Sequence, residues 1–204
     1  MTTLPQFPLQ LVLFPTMVLP LHVFEPRYRA MVHDILEGDR RFGVVMIEKG
    51  ADTGGGDVRS SFGTVAQVLE AEEFPDGRWA LITVGGERFK VKEWLPDNPY
   101  PLADIEAWPD EGGQPLEGEE FDRVLAKFRR CVALASEAGV DIGRVPDTLD
   151  SGDLGTMQMA AMMPVDVYDK QKLLAAPDAC ARLALLETTI DDTLELVEVR
   201  LRGG

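Results

Sequence analysis

The chain has 204 residues, of which 45% are hydrophobic and 27% are charged, as in a globular protein that buries a sizeable core. Its formal net charge of −15 is spread over both halves of the sequence, which argues against binding to nucleic acid or to an anionic membrane. Since no stretch has the apolar length of a membrane span and no signal peptide is evident, we expect a cytoplasmic protein.

The segment of residues 7–32 (FPLQLVLFPTMVLPLHVFEPRYRAMV) combines extended structure with the start of a helix. Leucines at alternate positions predict a strand over residues 9–13, and a second extended stretch follows over residues 18–23. The prolines inside this block lack a backbone donor, so they exclude one long regular element. Pro26 is suited to the first position of a helix, and Gly38 is suited to the cap that ends it.

Short strands separated by glycine-rich and proline-rich turns continue to residue 108. A slip in the alternation near residue 69 indicates a β-bulge, and the pair Gly85-Gly86 predicts a break in the strand that contains it. The glycine-rich residues 49–61 predict a flexible connection. Together these elements predict a small, strongly bent sheet or barrel with one embedded helix. The strands are expected at residues 41–47, 62–72, 78–84, 87–91 and 101–108.

The hydrophobic period changes from 2 to 3.6 after the polar, turn-rich residues 109–118. An apolar stripe over residues 121–135 predicts a long helix, with Arg123, Lys127 and Arg130 outside it. Three further helices are expected near residues 154–163, 166–175 and 179–197. The sequence therefore predicts a β-barrel subdomain over residues 1–110 and a helical bundle over residues 118–204 packed on it.

Several motifs carry a family resemblance. They are FPL, VLFP and LPLHVFEPRY within residues 7–28, FGTVAQV at 62–68, VGGERFKV at 84–91, and QKLL at 171–174 followed by Asp178 and Arg182-Leu183. In this order they resemble the LON substrate-binding domain, the N-terminal module of Lon-type ATP-dependent proteases. The resemblance implies an α+β fold, with an N-terminal PUA-like β pseudo-barrel that has an embedded helix and a C-terminal α-helical bundle.

The sequence offers little for catalysis. No phosphate-binding motif of the form GxxxxGK[ST] occurs, because the glycines at 54–56 lack the following lysine and hydroxyl residue. No serine lies in a GxSxG motif, and His22 and His33 are expected to be packing or surface residues. The two histidines and two cysteines lack the spacing of a zinc site. We therefore expect no enzyme activity, no cofactor and no metal.

The resemblance implies a non-catalytic module that binds unfolded or degron-bearing polypeptide, or a partner protein, in a groove between barrel and bundle. Pairing with an open strand edge, together with apolar pockets, would give such binding without strict sequence specificity. Met159 and Met163 are candidate contacts, since methionine is common on adaptable binding surfaces, but core packing is the alternative. Arg27 is a third candidate, for which the alternative is an ion pair with Glu25.

Two other functions are weighed against this one. The first is small-molecule binding or an enzymatic role in the same cleft, which a copurifying metabolite would support. The second is RNA binding by analogy with PUA-like barrels, which the acidity of the chain disfavours. Polypeptide binding is the function that the sequence favours.

Overall fold

The structure, a computed structural model, describes residues 2–50, 58–111, 116, 118–143, 145–146 and 148–203. It divides into two compact units, Met1–Pro109 and Asp110–Gly204. The elements described in the first unit are β1 (Thr2–Leu9), β2 (Val18–Val23), α1 (Pro26–Glu37), β3 (Arg41–Lys49), β4 (Val58–Glu73), β5 (Trp79–Leu95) and β6 (Leu102–Ala107). Those of the second unit are α2 (Glu119–Glu137), α3 (Gly152–Met162), α4 (Val167–Ala175) and α5 (Ala179–Gly203). The predicted α+β class is thus observed as a mixed sheet and helices, and the glycine run at 54–56 lies outside the described residues.

The strands of the first unit form a sheet with the order β2-β5-β4-β3-β1-β6, and β6 also pairs with β5. The pairing of β1 with β3 is parallel, whereas the other pairings are antiparallel. Five strands therefore close into a ring, while among the described strands β2 pairs with β5 alone. A register shift beside residue 69 confirms the predicted bulge.

The long strand β5 connects the other parts of this sheet, because it pairs with β2, β4 and β6. One edge pairs with β4 over most of the length of β5, and the other pairs first with β2 and then with β6. The change of partner falls at Gly85, whose N–H donates to Met17 O at 2.9 Å and whose oxygen accepts from Thr16 N–H at 2.7 Å. The predicted break at Gly85-Gly86 is therefore wrong: β5 continues because β4 supports its other edge, and only the partner changes.

Residues 9–13 also differ from expectation, because β1 ends at Leu9 and the chain then turns toward Gly85. Thr16 has a φ of 65°, in the left-handed region, at the point where the chain reverses. Leu13 and Phe14 are nevertheless almost completely buried. Val12 before them is buried as well, so this segment is a continuous buried apolar run without the alternation of a strand.

Helix α1 covers one side of the core of the first unit. Pro26 occupies its first turn as predicted, and the N–H of Gly38 caps the end by donating to Ile35 O. The ring of Tyr28 stacks on Phe7 with 4.2 Å between centroids. The hydroxyl of Tyr100 donates to Asp34 at 2.6 Å, and burial followed by this bond raises the pKa of Tyr100 to about 12. Tyr100 therefore stays neutral, and its hydroxyl anchors α1 through Asp34.

In the second unit, α2 and α5 run side by side in the same direction. The basic residues that the sequence placed outside the apolar stripe of α2 form ion pairs with successive acidic residues of α5. These pairs are Arg123–Glu187 at 3.2 Å, Lys127–Asp191 at 2.8 Å and Arg130–Glu198 at 2.8 Å.

Among the described residues, no helix combines the length and apolarity needed to cross a membrane.

Arg182, a member of the C-terminal motif, is completely buried in the second unit. Its guanidinium forms two hydrogen bonds with Asp110, one of them at 3.0 Å, and a third with Thr156 Oγ1 at 2.8 Å. Its Nε donates to Leu173 O at 3.3 Å. One side chain of α5 thus connects α3, α4 and the segment before α2, because a buried cation requires such partners.

We expect Gly85→Ala to destabilise the first unit by about 1–3 kcal/mol, because overpacking forces the backbone to shift. A Cβ at Gly85 would lie 2.1 Å from Phe14 O. Urea unfolding followed by tryptophan fluorescence measures this loss, since all three tryptophans lie in the first unit. The control is Gly86→Ala, where the nearest atom would be 3.3 Å away. Equal losses for the two variants would contradict the role given to Gly85.

Arg182→Met should destabilise the second unit by about 3–5 kcal/mol, because it leaves the carboxylate of Asp110 buried without its cation. Arg123→Met, which removes an exposed ion pair of the same unit, should cost about 1 kcal/mol or less. The helical circular dichroism signal during urea unfolding distinguishes the two variants. A loss for Arg182→Met no larger than that for Arg123→Met would contradict the connecting role of Arg182.

Candidate functional site

Two of the predicted binding residues lie inside the second unit. The exposed fraction is 0% for the side chain of Met159 and 1% for that of Met163. Both residues lie at the end of α3, where Met163 N–H donates to Met159 O. Their contact with a peptide stays a prediction, and their burial favours the alternative of core packing.

The third candidate, Arg27, lies in the first turn of α1. Its Nε donates to Glu25 Oε2 at 3.1 Å, and its guanidinium lies 4.5 Å from the centroid of the Tyr28 ring. This is the ion pair that the structural alternative requires. The side chain keeps 19% of its surface exposed, and Phe24, just before the helix, is 58% exposed. A binding role for Arg27 remains a prediction.

The backbone of β2 presents an open edge. Because Gly85 N–H bonds to Met17 O, and antiparallel pairs alternate, residues 19, 21 and 23 direct their backbone groups toward β5. Val18, Pro20 and His22 therefore direct theirs away from the sheet. Within the described ranges, the backbone groups of Val18 and His22 have no hydrogen-bond partner, so each of the two residues offers an N–H and a C=O, whereas Pro20 offers only its C=O.

The side chains of this edge belong to an exposed surface that we call the outer face, formed by Val18, Pro20, Ala80, Ile82 and Val84. Val18 faces Val84 and Pro20 faces Ile82 across the β2–β5 pairing. Val18 is 57% exposed and Ile82 is 37% exposed. Their neighbours along both strands point into the core, as alternation requires. The sheet thus carries an apolar strip two strands wide that reaches the open edge.

Acidic residues border the outer face on the side away from that edge. Glu70 of β4 faces Ile82, and Glu72 faces Ala80. In the described part of the chain, neither carboxylate forms an ion pair or hydrogen bond with another residue. Both are exposed, so they supply negative charge at the border without closing the apolar strip.

A cleft of about 170 Å³ lies where β2 ends. Its walls are His22, Val23, Phe24, Phe74, Arg78 and Trp79. Arg78 Nε donates to Asp76 at 2.7 Å, and the Arg78 backbone N–H, followed by its side chain, lowers the pKa of that carboxyl below its usual value. The cleft is thus lined by the aromatic rings of Phe24, Phe74 and Trp79 together with the charged side chain of Arg78.

A larger groove of about 570 Å³ lies in the second unit. Leu185 and Leu196 of α5 contribute apolar surface, but Asp192 and Arg200 of the same helix bring charges of both signs. The backbone groups along α5 are already used within the helix. The edge of β2 differs, because it combines exposed apolar side chains with unpaired backbone groups.

Within the described ranges, His, Cys, Asp and Glu side chains nowhere gather in a group that could hold a metal ion. Cys131 is buried, and burial raises the pKa of its thiol to about 11, whereas Cys180 is exposed on α5. A thiol with a raised pKa is a poor nucleophile.

Residues 18–23 are extended, as the sequence predicts, but their position at the edge of the sheet was not predicted. The signal that could have indicated it is Pro20, because proline within a strand is confined to edges, bulges and strand starts. Its neighbours Leu19 and Leu21 are both buried, so the alternation was readable as well. The partner of β2 is more than 55 residues away in the sequence, and no local pattern predicts it.

A family model described as the ATP-dependent protease La (LON) substrate-binding domain matches residues 3–192. Among curated proteins, the Lon protease of Cytophaga hutchinsonii is 28% identical over 98% of this chain. Lon protease 2 of Sorangium cellulosum is 29% identical over 93% of it. The chain spans about a quarter of the length of these relatives, 25% and 24% respectively.

Solved structures agree with this assignment. A Lon N-terminal domain protein from Xanthomonas campestris superposes with a TM-score of 0.70 at 25% identity, covering 91% of this chain and 97% of that protein. The N-terminal domain of the Mycobacterium avium complex Lon protease gives a TM-score of 0.61 at 16% identity, covering 94% and 99%. The second likeness concerns the fold alone.

Proposed function

The chain belongs to the LON substrate-binding domain family, and from this premise we propose that it is a non-catalytic module that binds polypeptide. The ligands are unfolded or degron-bearing segments, or a partner protein that exposes such a segment. The closed ring of strands supports a PUA-like pseudo-barrel as the scaffold of this function. The net charge of −15 disfavours nucleic acid as a ligand.

The open edge of β2 is the observation that carries the proposal. An extended peptide adds to such an edge through main-chain hydrogen bonds, which every sequence can form. Val18 and His22 provide these bonds, since their backbone groups point away from β5. Binding of this kind suits a module that meets many different unfolded chains.

Side-chain recognition would come from the outer face and from the cleft. An added strand places alternate side chains beside Val18 and Pro20, where apolar residues bury surface that is otherwise exposed. The next position along the ligand reaches the cleft beside Phe24. Arg27 lies in the first turn of α1, just after Phe24 in the sequence, and we propose that it contacts this end of the ligand. That contact would weaken its ion pair with Glu25.

We expect this chain to bind apolar, unstructured peptides with dissociation constants in the micromolar range. Weak binding follows because only a few main-chain bonds form and the peptide loses its freedom on ordering. A peptide array of diverse sequence, followed by fluorescence anisotropy of the strongest sequences, measures it. An array without saturable binding to any peptide would contradict the proposed function.

Val18→Asp should lower the affinity for such peptides by about tenfold or more, because it removes an apolar contact and adds a carboxylate beside the paired edge. The matched control is Val58→Asp, at the start of β4, where the side chain is 50% exposed but far along the strand from the outer face. The same anisotropy titration compares both variants with the unmodified chain. An equal effect of the two substitutions would place the binding surface elsewhere.

A further inference from the structure

We propose that Pro20 keeps the β2 edge available for polypeptide ligands. The proline weakens the pairing of β2 with a ligand strand, but it weakens the pairing of β2 with the β2 strand of a second copy of this chain more. The inference rests on the proposed function, since it concerns the same edge. An open edge with apolar side chains is a template for self-association, and prolines on edges are one way in which proteins prevent it. Pro20 lies at the centre of that edge, and it is exposed.

Consider first a ligand strand paired antiparallel with β2. Val18 and His22 can each exchange two hydrogen bonds with the ligand residue that faces them. Pro20 accepts one bond through its C=O but cannot donate the other. The proline therefore removes one bond from the ligand complex, and the ligand carbonyl left over remains exposed to water.

Pairing between two copies of this chain loses more hydrogen bonds than pairing with a ligand. Two β2 strands related by a two-fold axis place Val18 opposite His22 of the second copy, and Pro20 opposite Pro20 of the second copy. At the central position neither strand has a donor, so both bonds are missing. A shifted register places a proline in two pairs rather than one, and it shortens the overlap of these six-residue strands.

The charges around the edge also disfavour pairing between two copies of this chain. The unpaired carboxylates of Glu70 and Glu72 border the outer face of each copy, and each chain carries a net charge of −15. Two such surfaces repel each other, whereas a ligand with lysine or arginine beside its apolar residues is attracted. The edge is therefore built to prefer an extended, apolar and basic segment to a second copy of itself.

The test compares Pro20→Ala with the unmodified chain in two titrations. One measures self-association by sedimentation, and the other measures the anisotropy of a fluorescein-labelled peptide of alternating valine and lysine. One restored hydrogen bond should raise the peptide affinity roughly two- to tenfold, and two restored bonds should raise self-association by roughly the square of that factor. Pro75→Ala, in the exposed turn between β4 and β5, is the matched control and should change neither quantity.

Three results would overturn the inference. They are self-association of Pro20→Ala equal to that of the unmodified chain, a gain in peptide affinity as large as the gain in self-association, and loss of folding. Loss of folding counts because an exposed proline whose backbone faces solvent should be replaceable. If the unmodified chain binds neither this peptide nor any peptide of the array, the proposed function is contradicted, and the sedimentation comparison still decides the effect of Pro20 on self-pairing.

Discussion

The architecture of the first unit depends on the way in which β5 changes partner at Gly85. One edge of this 17-residue strand remains paired with β4, while the other pairs with β2 and then with β6. The change requires the chain before β2 to approach so closely that a Cβ at Gly85 would overlap Phe14 O. Because β6 closes the ring beyond this point, β2 is left with a free edge. The candidate binding surface is thus a consequence of the topology.

The two units bury polar groups in different ways. In the first unit the buried hydroxyls of Thr64 and Thr83 donate to the backbone carbonyls of Leu13 and Leu19, so the polar side chains are satisfied by main-chain acceptors. In the second unit, a fully buried arginine joins three helices and the segment that precedes them. Met159 and Met163 are buried in the same unit, where the flexibility of methionine suits it to a core of irregular shape. The family motif around Arg182 therefore has a structural role in this chain.

The starts of the helices could be predicted from the sequence, because they depend on residues that are close together in the chain. Pro26 begins α1, and Asp166 caps α4 by accepting from the N–H groups of Tyr168 and Asp169. The glycines at 85 and 86 were misread as a break, since their effect depends on a segment some 70 residues earlier in the chain. The methionines were ambiguous for a related reason, because a helix that packs on several sides shows no polar face.

The residues of β2 were correctly expected to be extended, but they do not by themselves determine its edge position. A strand becomes an edge only through the pairing of all the others, and that information is long-range. Pro20 and the alternation around it are compatible with an edge, but a bulge or a strand start would have explained them equally well. Motif resemblance identified the family, whereas the structure was needed to find the unpaired backbone groups.

Amide hydrogen exchange at β2, measured with and without a bound apolar peptide, tests the central claim most directly. In the free chain the N–H groups of Val18 and His22 should exchange rapidly, while those of Leu19 and Leu21 are protected by β5. Addition of the peptide should slow exchange at Val18 and His22 and leave the other two unchanged. Saturable binding that leaves the exchange of Val18 and His22 unaltered would contradict strand addition at this edge.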